Sequence, residues 1–211
     1  MATALKNIEP GEGPPRNDLA PVRTQALDAT PERYVVRELT MALDGGFQFL
    51  YRDPGLAQPL PAGGIAAVVA GFAAPAAAVA FVAAVRGMDG ETPLDLQIYG
   101  PPIFVVLRLD PALNWRFSTD HPAISLKDND VADHYGGLRH VMPDGTVQTD
   151  PGDGCRIAYF AANPPAVGEA GQYSHGFNFH VELTRTGANG KSEALPIIID
   201  PDVGYPGGSN T

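Results

Sequence analysis

The segment Gln172–Asp200, QYSHGFNFHVELTRTGANGKSEALPIIID, carries the clearest strand pattern in the chain. Apolar side chains occupy every second position from 177 to 183, and an extended chain places such residues on one face. They are Phe177, Phe179, Val181 and Leu183. Leu195–Asp200 is rich in β-branched residues on both sides, which is typical of a strand covered on both faces. With its Gly- and Asn-rich connection, the segment predicts an antiparallel hairpin with a long tip.

Shorter strand-like segments precede this hairpin, separated by turns rich in Gly, Pro and Asp. They are Leu94–Tyr99, Ile103–Leu109, Trp115–Ser118, Ala123–Lys127, Leu138–Met142, Thr146–Thr149 and Cys155–Ala161. The chain has 24 Gly and 21 Pro in 211 residues, a usage typical of turn-rich β proteins. The sequence therefore predicts one mainly β domain over 31–202, an antiparallel β-sandwich in which Ile103–Leu109 is central.

One or two short helices are expected beside the strands. Pro75 fits the first turn of an Ala-rich helix over 75–86, and Gly87 fits the position just after it. Thr30-Pro31-Glu32 resembles a helix start, which favours a second helix over 31–43 and a strand over 47–52. The alternative for 31–52 is a β-hairpin that turns at Asp44-Gly45-Gly46.

The two ends of the chain have the composition of extended segments. Residues 1–30 contain few large apolar side chains, so we expect an N-terminal arm that lies across its own domain or a neighbouring subunit. Residues 203–211 are expected to form a coil tail.

Composition and charge exclude several kinds of partner and location. A net charge of −10 argues against nucleic acid and anionic membranes as partners. The apolar run 63–87 approaches the length of a membrane span, but Gly71 and Pro75 interrupt it, so membrane insertion is disfavoured. Cys155 is the single cysteine, and we expect a buried, inert thiol. No signal-peptide pattern is present, so a cytoplasmic location is expected, with export by a route without a cleaved signal left open.

Two sets of side chains are candidates for metal binding. Asp128, Asp130 and Asp133 have the short spacing of carboxylates around calcium, although the EF-hand spacing is absent and solvated loop acids are the alternative. His180 and Glu182 share one strand face, and His140 would complete a two-histidine, one-carboxylate set if the strands adjoin. The alternative is a polar strand surface facing solvent.

The tip sequence RTGANGKS resembles the phosphate-binding loop GxxxxGKS only in part. Arg185 stands where the first glycine is required, and the context is strand to strand rather than strand to helix. No phosphate site is therefore predicted at this hairpin tip.

For function, the sequence favours a non-enzymatic structural or interaction protein that acts through self-assembly as a homo-oligomer or polymer. The absence of a coherent catalytic set, the arm and the Ala-rich segment support this hypothesis. The alternatives are a ligand-binding module, calcium-assisted and directed at carbohydrate, and a metal-dependent enzyme using His140, His180 and Glu182.

Overall fold

The architecture comes from a computed structural model that describes ten segments of the chain. They are residues 20–43, 47–52, 57–72, 82–83, 96–97, 101–127, 129–163, 173–187, 192–199 and 202–205. In these segments, the side chains of 41–43, 47–52, 82–83, 96–97, 129–130, 173–174, 192 and 202–205 are outside the description.

The described elements are mostly strands, joined by one α-helix and one 3₁₀ helix. In chain order they are β1 (Arg33–Leu43), β2 (Phe47–Arg52), β3 (Gln58–Pro59), α1 (Gly64–Gly71), β4 (Val82–Ala83), β5 (Leu96–Gln97), β6 (Ile103–Leu109), β7 (Trp115–Phe117), β8 (Ile124–Leu126), the 3₁₀ helix (Asn129–His134), β9 (Tyr135–Val141), β10 (Val147–Gln148), β11 (Ile157–Ala162), β12 (Tyr173–Thr186), β13 (Ser192–Ile199) and β14 (Asp202–Tyr205).

The strands form two sheets. The first has the order β10-β9-β11-β6-β1-β2-β4, with β3 also paired to β1. In it β1 and β6 run parallel, while the other neighbours are antiparallel. The second has the order β13-β12-β14-β5, and β7 and β8 both pair with β12. The fold is therefore mainly β and sandwich-like, as the sequence predicts.

Apolar side chains from both sheets form the main core. Phe177, Phe179 and Val181 of β12 are buried, which confirms the alternation seen in the sequence. The predicted central strand is confirmed too, since β6 lies between β1 and β11 and is buried along most of its length. Cys155 is buried in the same core, as predicted, and burial raises the pKa of its thiol to about 11.

Helix α1 covers the outer face of the first sheet. Its Val69 packs in a second apolar cluster with Val106, Val141 and Tyr159, and Phe72 just beyond the helix joins this cluster. Across the described segments, no helix is long and apolar enough to cross a membrane.

Three expectations about secondary structure are wrong. Residues 33–43 form β1 rather than a helix, and β1 pairs with β2 in the alternative hairpin, with Leu43 opposite Phe47. A continuous helix over 75–86 is excluded because Val82–Ala83 forms β4, while the rest of that range lies outside the described residues. Part of the predicted coil tail belongs to β14, which pairs with β12.

The predicted two-sided burial of the last hairpin strand is also wrong. Leu195 and Ile198 are 51% and 43% exposed, and among the described strands β13 pairs with β12 alone. The strand lies at a sheet edge, where Pro196 interrupts the row of backbone donors.

The segment 20–27 crosses from one sheet to the other. Val22 is buried, and its N–H donates to the carbonyl of Ile124 in β8 over 3.0 Å. Gly137 of β9 donates to the carbonyl of Gln25 over 2.7 Å. Gly136 allows this approach, because a Cβ there would lie 2.6 Å from the same oxygen. The segment thus ties β8 to β9 beside the 3₁₀ helix.

Candidate active site

Two histidines and a tyrosine meet where the 3₁₀ helix leads into β9. His134 ends the 3₁₀ helix, Tyr135 begins β9, and His175 lies near the start of β12 in the opposite sheet. The rings of His134 and His175 have centroids 5.7 Å apart, and those of Tyr135 and His175 are also 5.7 Å apart. We name this group of three residues the histidine corner.

The imidazole of His134 is held by one of its two nitrogens. Its Nδ1 lies 2.9 Å from the carbonyl oxygen of Asn163, which follows β11, and the N–H of Asn163 donates back to the carbonyl of His134 over 2.8 Å. A carbonyl oxygen only accepts hydrogen bonds, so Nδ1 carries the proton. In the neutral ring Nε2 then holds the lone pair, and no described residue hydrogen-bonds to it. The half-buried ring therefore presents a proton acceptor.

Tyr135 and His175 form the inner part of the corner. The Tyr135 hydroxyl lies 2.6 Å from Nδ1 of His175, and both side chains are buried. The Tyr135 ring meets Phe177 edge to face at 4.8 Å and Phe160 at 6.1 Å. Such aromatic contacts fix a ring in place. The hydroxyl therefore holds His175 against a rigid support.

The segment before His134 is fixed by a charged contact. Arg23 Nη1 lies 3.0 Å from the Asp133 carboxylate, and its Nη2 donates to the Asp133 carbonyl over 3.3 Å. Both side chains are substantially exposed, so the ion pair contributes little energy of its own. Its effect is geometric, because it joins the crossing segment 20–27 to the residue that precedes His134.

The histidine corner has the components of general acid–base chemistry. The hydrogen bond from His134 Nδ1 to the backbone fixes the ring, so the orientation of Nε2 is defined before a substrate binds. An imidazole in this state takes a proton from a hydroxyl or water that approaches Nε2. His175 places a second imidazole beside it, with the two ring centroids 5.7 Å apart.

The metal set predicted from His140, His180 and Glu182 is not assembled. His140 is 1% exposed, its Nδ1 donates to the Thr149 carbonyl over 2.9 Å, and its ring packs against Phe117 in the core. His180 and Glu182 alternate with core residues of β12 and therefore lie on the other face of their sheet. Burial lowers the pKa of His140, so it is a neutral core histidine.

The face that carries His180 and Glu182 is a network of internal bonds. The buried Glu182 carboxylate accepts from Ser118 Oγ at 2.7 Å and from Arg116 Nε at 3.0 Å. His180 Nε2 lies 2.9 Å from Ser125 Oγ. The predicted solvent-facing polar surface is wrong for Glu182, which is 4% exposed.

The predicted calcium ligands are only partly visible. Asp128 and the side chain of Asp130 lie outside the described residues, and the carboxylate of Asp133 is 93% exposed and bound to Arg23. Within the described segments no three His, Cys, Asp or Glu side chains are placed to hold a metal ion. The calcium site therefore stays a prediction.

Sequence patterns alone do not identify His134 or His175 as site residues. They lie 41 positions apart, on strands of different sheets, and neither matches a short motif. A local signal does exist for His134, because it follows the acidic stretch KDNDVAD and precedes a tyrosine and two glycines. Gly137, with φ of 69°, lies inside β9 where the pairing with β11 shifts register, and glycine adopts this conformation without strain.

The chain matches the profile of a protein family. The profile of the family pNTSase1, described as a predicted novel nucleotide synthetase, matches residues 56–208, well over half of the chain. No curated protein matches the sequence. A synthetase family is an enzyme family, so the expectation of a structural, self-assembling protein without enzymatic activity is wrong. The chain belongs to the pNTSase1 family of predicted nucleotide synthetases.

Proposed function

We propose that the protein is an enzyme of nucleotide synthesis and that the histidine corner is its active site. The observation that carries this proposal is His134, whose Nδ1 is bound to a main-chain carbonyl at 2.9 Å while Nε2 has no described partner. The family description, a predicted nucleotide synthetase, supplies the class of compound that is made, nucleotides, and the matched range contains all three corner residues.

The reaction class that suits this geometry is nucleotidyl transfer. A hydroxyl of one substrate attacks the α-phosphorus of a nucleoside triphosphate, a new P–O bond forms, and pyrophosphate leaves. His134 Nε2 takes the proton of the attacking hydroxyl. A positioned general base of this kind accelerates a reaction by about 10²–10⁴-fold.

His175 has a positioning role in this proposal. The Tyr135 hydroxyl bond at 2.6 Å and the aromatic support fix its ring beside His134. The group that acts on the substrate is therefore Nε2 of His134, and His175 supports the position of the ring that carries it.

A divalent cation remains part of the proposal through Asp128, Asp130 and Asp133. The loop leads directly into His134, and a cation held there would offset the charge of a triphosphate. Asp133 fits this role poorly, since its carboxylate binds Arg23. Asp128 and Asp130 are the stronger candidates, and a cation-dependent rise in melting temperature that is lost in Asp128→Asn and Asp130→Asn would support them.

The test of the active site is pyrophosphate release by the purified protein with each of the four nucleoside triphosphates, whose ribose hydroxyl or water serves as the attacking group. In His134→Asn, the amide replaces Nδ1–H as the donor to Asn163, but the proton acceptor is lost. We expect the rate to fall by about 10²–10⁴-fold with unchanged folding.

The matched control is His121→Asn, which changes an exposed histidine on the outer face of the second sheet. We expect a wild-type rate for it. A His134→Asn rate within a factor of two of the control, with measurable wild-type turnover, would refute the role of His134.

A further inference from the structure

A cleft separate from the histidine corner opens beside helix α1. It has a volume of about 480 Å³ and lies between the end of α1, the turn after β9 and the start of β11. This volume is within the range of small-molecule sites, about 300–1,000 Å³. Val141, at the far end of β9 from Tyr135, lines it. Tyr135 and Val141 are six strand steps apart, which separates the two sites by about 20 Å.

The walls of the cleft are apolar and the charged groups are few. Val69 and Phe72 contribute the helix side, and Val141 and Ile157 contribute the sheet side. Arg108 and Arg156 also line the cleft. Few polar groups in an apolar cavity are typical of a site that binds an organic molecule in one orientation.

Arg108 is built into the floor. Its Nη1 lies 3.2 Å from Glu38 Oε1, and both side chains are at least nine-tenths buried. Its guanidinium also donates to the carbonyl of Phe72 over 3.3 Å and lies 5.3 Å from the centre of the Phe72 ring. The cation is therefore neutralised by Glu38, and it fixes the position of the aromatic wall.

Arg156 is the second arginine that lines the cleft, and its positive charge is available to a ligand. Its Nε donates to the carbonyl of Trp115 over 3.2 Å, which anchors the group at the rim. No described residue pairs with its two terminal nitrogens, although the protein as a whole carries a net charge of −10. The two terminal N–H groups form a fork that matches a phosphate or a carboxylate.

From this arrangement we infer that the cleft binds a nucleoside monophosphate, with the base against Phe72 and the phosphate on Arg156. The site rests on the cleft geometry alone, whereas the choice of a nucleotide over another aromatic anion rests on the proposed function. The distance from the histidine corner makes this a second site rather than a part of the catalytic one.

The test is isothermal titration calorimetry of the full chain with AMP, GMP, CMP and UMP. We expect saturable binding of at least one of them. The matching nucleoside and ribose 5-phosphate are each expected to bind at least about tenfold more weakly, since one lacks the charged bond and the other lacks the ring contact. The inference is overturned if none of the four monophosphates gives saturable heat, or if ribose 5-phosphate binds as tightly as the nucleotide.

Variants assign the binding to the cleft. Ala70 is an exposed residue of α1 that lines the cleft, so Ala70→Trp fills it from the solvent side. Ala67→Trp is the matched control, because Ala67 is equally exposed on the same helix and does not line the cleft. Ala70→Trp is expected to remove one set of binding sites and Ala67→Trp to retain it; equal binding by the two would contradict the inference.

A third pair of variants tests the charge. Arg156→Gln is expected to weaken nucleotide binding by about 10–100-fold, and Arg156→Lys by less. Failure of this inference and failure of the proposed function are distinguishable. If pyrophosphate release depends on His134 but no nucleotide binds in the cleft, only the cleft inference is refuted. If nucleotide binding is lost in Ala70→Trp but His134→Asn has no effect on pyrophosphate release, only the proposed function is refuted.

Discussion

The molecule contains two pairs of neighbouring histidines with the same ring separation and different surroundings. His134 and His175 in the histidine corner, and His121 and His180 on the outer face of the second sheet, each have ring centroids 5.7 Å apart. In the corner, a backbone carbonyl holds one nitrogen of His134 and leaves the other as an acceptor. On the outer face, His180 Nε2 is bonded to Ser125, whose side chain is buried.

The difference shows that two nearby imidazoles do not by themselves make a reactive site. Ser125 has a histidine at 2.9 Å, as a serine nucleophile requires, yet it is 2% exposed and bridged to Pro21 of the crossing segment. A substrate cannot reach it. The free nitrogen, and its access, distinguish the corner from the outer face.

The largest expected effect is on the free energy of unfolding, and it tests how much the packing of Tyr135 in the core stabilises the histidine corner. Tyr135→Ala removes a buried ring in contact with Phe160 and Phe177, and we expect a loss of about 3–5 kcal/mol in the free energy of unfolding. Tyr135→Phe keeps the ring but removes the bond to His175, with an expected loss of about 1–3 kcal/mol. Urea denaturation measures both. Equal stability of Tyr135→Phe and wild type would show that the hydroxyl does not hold His175.

An intermediate effect is expected on the outer face. Glu182→Ala leaves Ser118 and Arg116 without their acceptor, so unfolding free energy should fall by about 1–3 kcal/mol. Glu182→Gln retains an oxygen for Ser118 and should lose less. Pyrophosphate release by the Gln variant should match wild type, since this network is structural in our interpretation. A loss of turnover comparable to that of His134→Asn would reverse the assignment of the two faces.

The smallest effect is a pH dependence that belongs to His180. Burial lowers the pKa of His180, and the charge of His121 lowers it further. The unfolded chain therefore takes up the proton first, so stability is complete above the unfolded pKa of about 6.5 and falls as the pH drops toward the lower folded pKa. His180→Gln retains a partner for Ser125 without titrating. Between pH 7.5 and 5.5 its unfolding free energy should therefore fall less than that of wild type; identical slopes would refute the effect.

Much of the fold follows from local pattern. The alternation around Phe177 and the doubly apolar run Ile103–Leu109 both correspond to buried strands at the predicted positions. Residues 33–43 show the limit of such patterns, because Val36, Leu39 and Leu43 also recur at helical spacing. These residues form a strand because they pair with β2 and with β6, which lies some 70 residues away. A pattern read over a few neighbouring residues does not include these partners.

The candidate site depends even more on distant contacts. His140 and His180 both lie in alternating strand-like segments of the sequence. In the structure, His140 packs on Phe117 in the core, whereas His180 hydrogen-bonds to Ser125 on the outer face of the second sheet. The corner forms because the start of β9 and the start of β12 lie on opposite sheets at the same end of the sandwich. A shift of one residue in either strand would turn the side chains to the other face.

Strand β1 has a practical consequence for shortened versions of the protein. It pairs with β6 on one side and β2 on the other, and it precedes the matched range 56–208. A recombinant fragment trimmed to that range would lack β1 and expose the long apolar edge of β6. Unpaired backbone groups at such an edge promote strand pairing between molecules, and hence aggregation. The minimal unit for expression should therefore begin no later than Ala20, which keeps both β1 and the crossing segment.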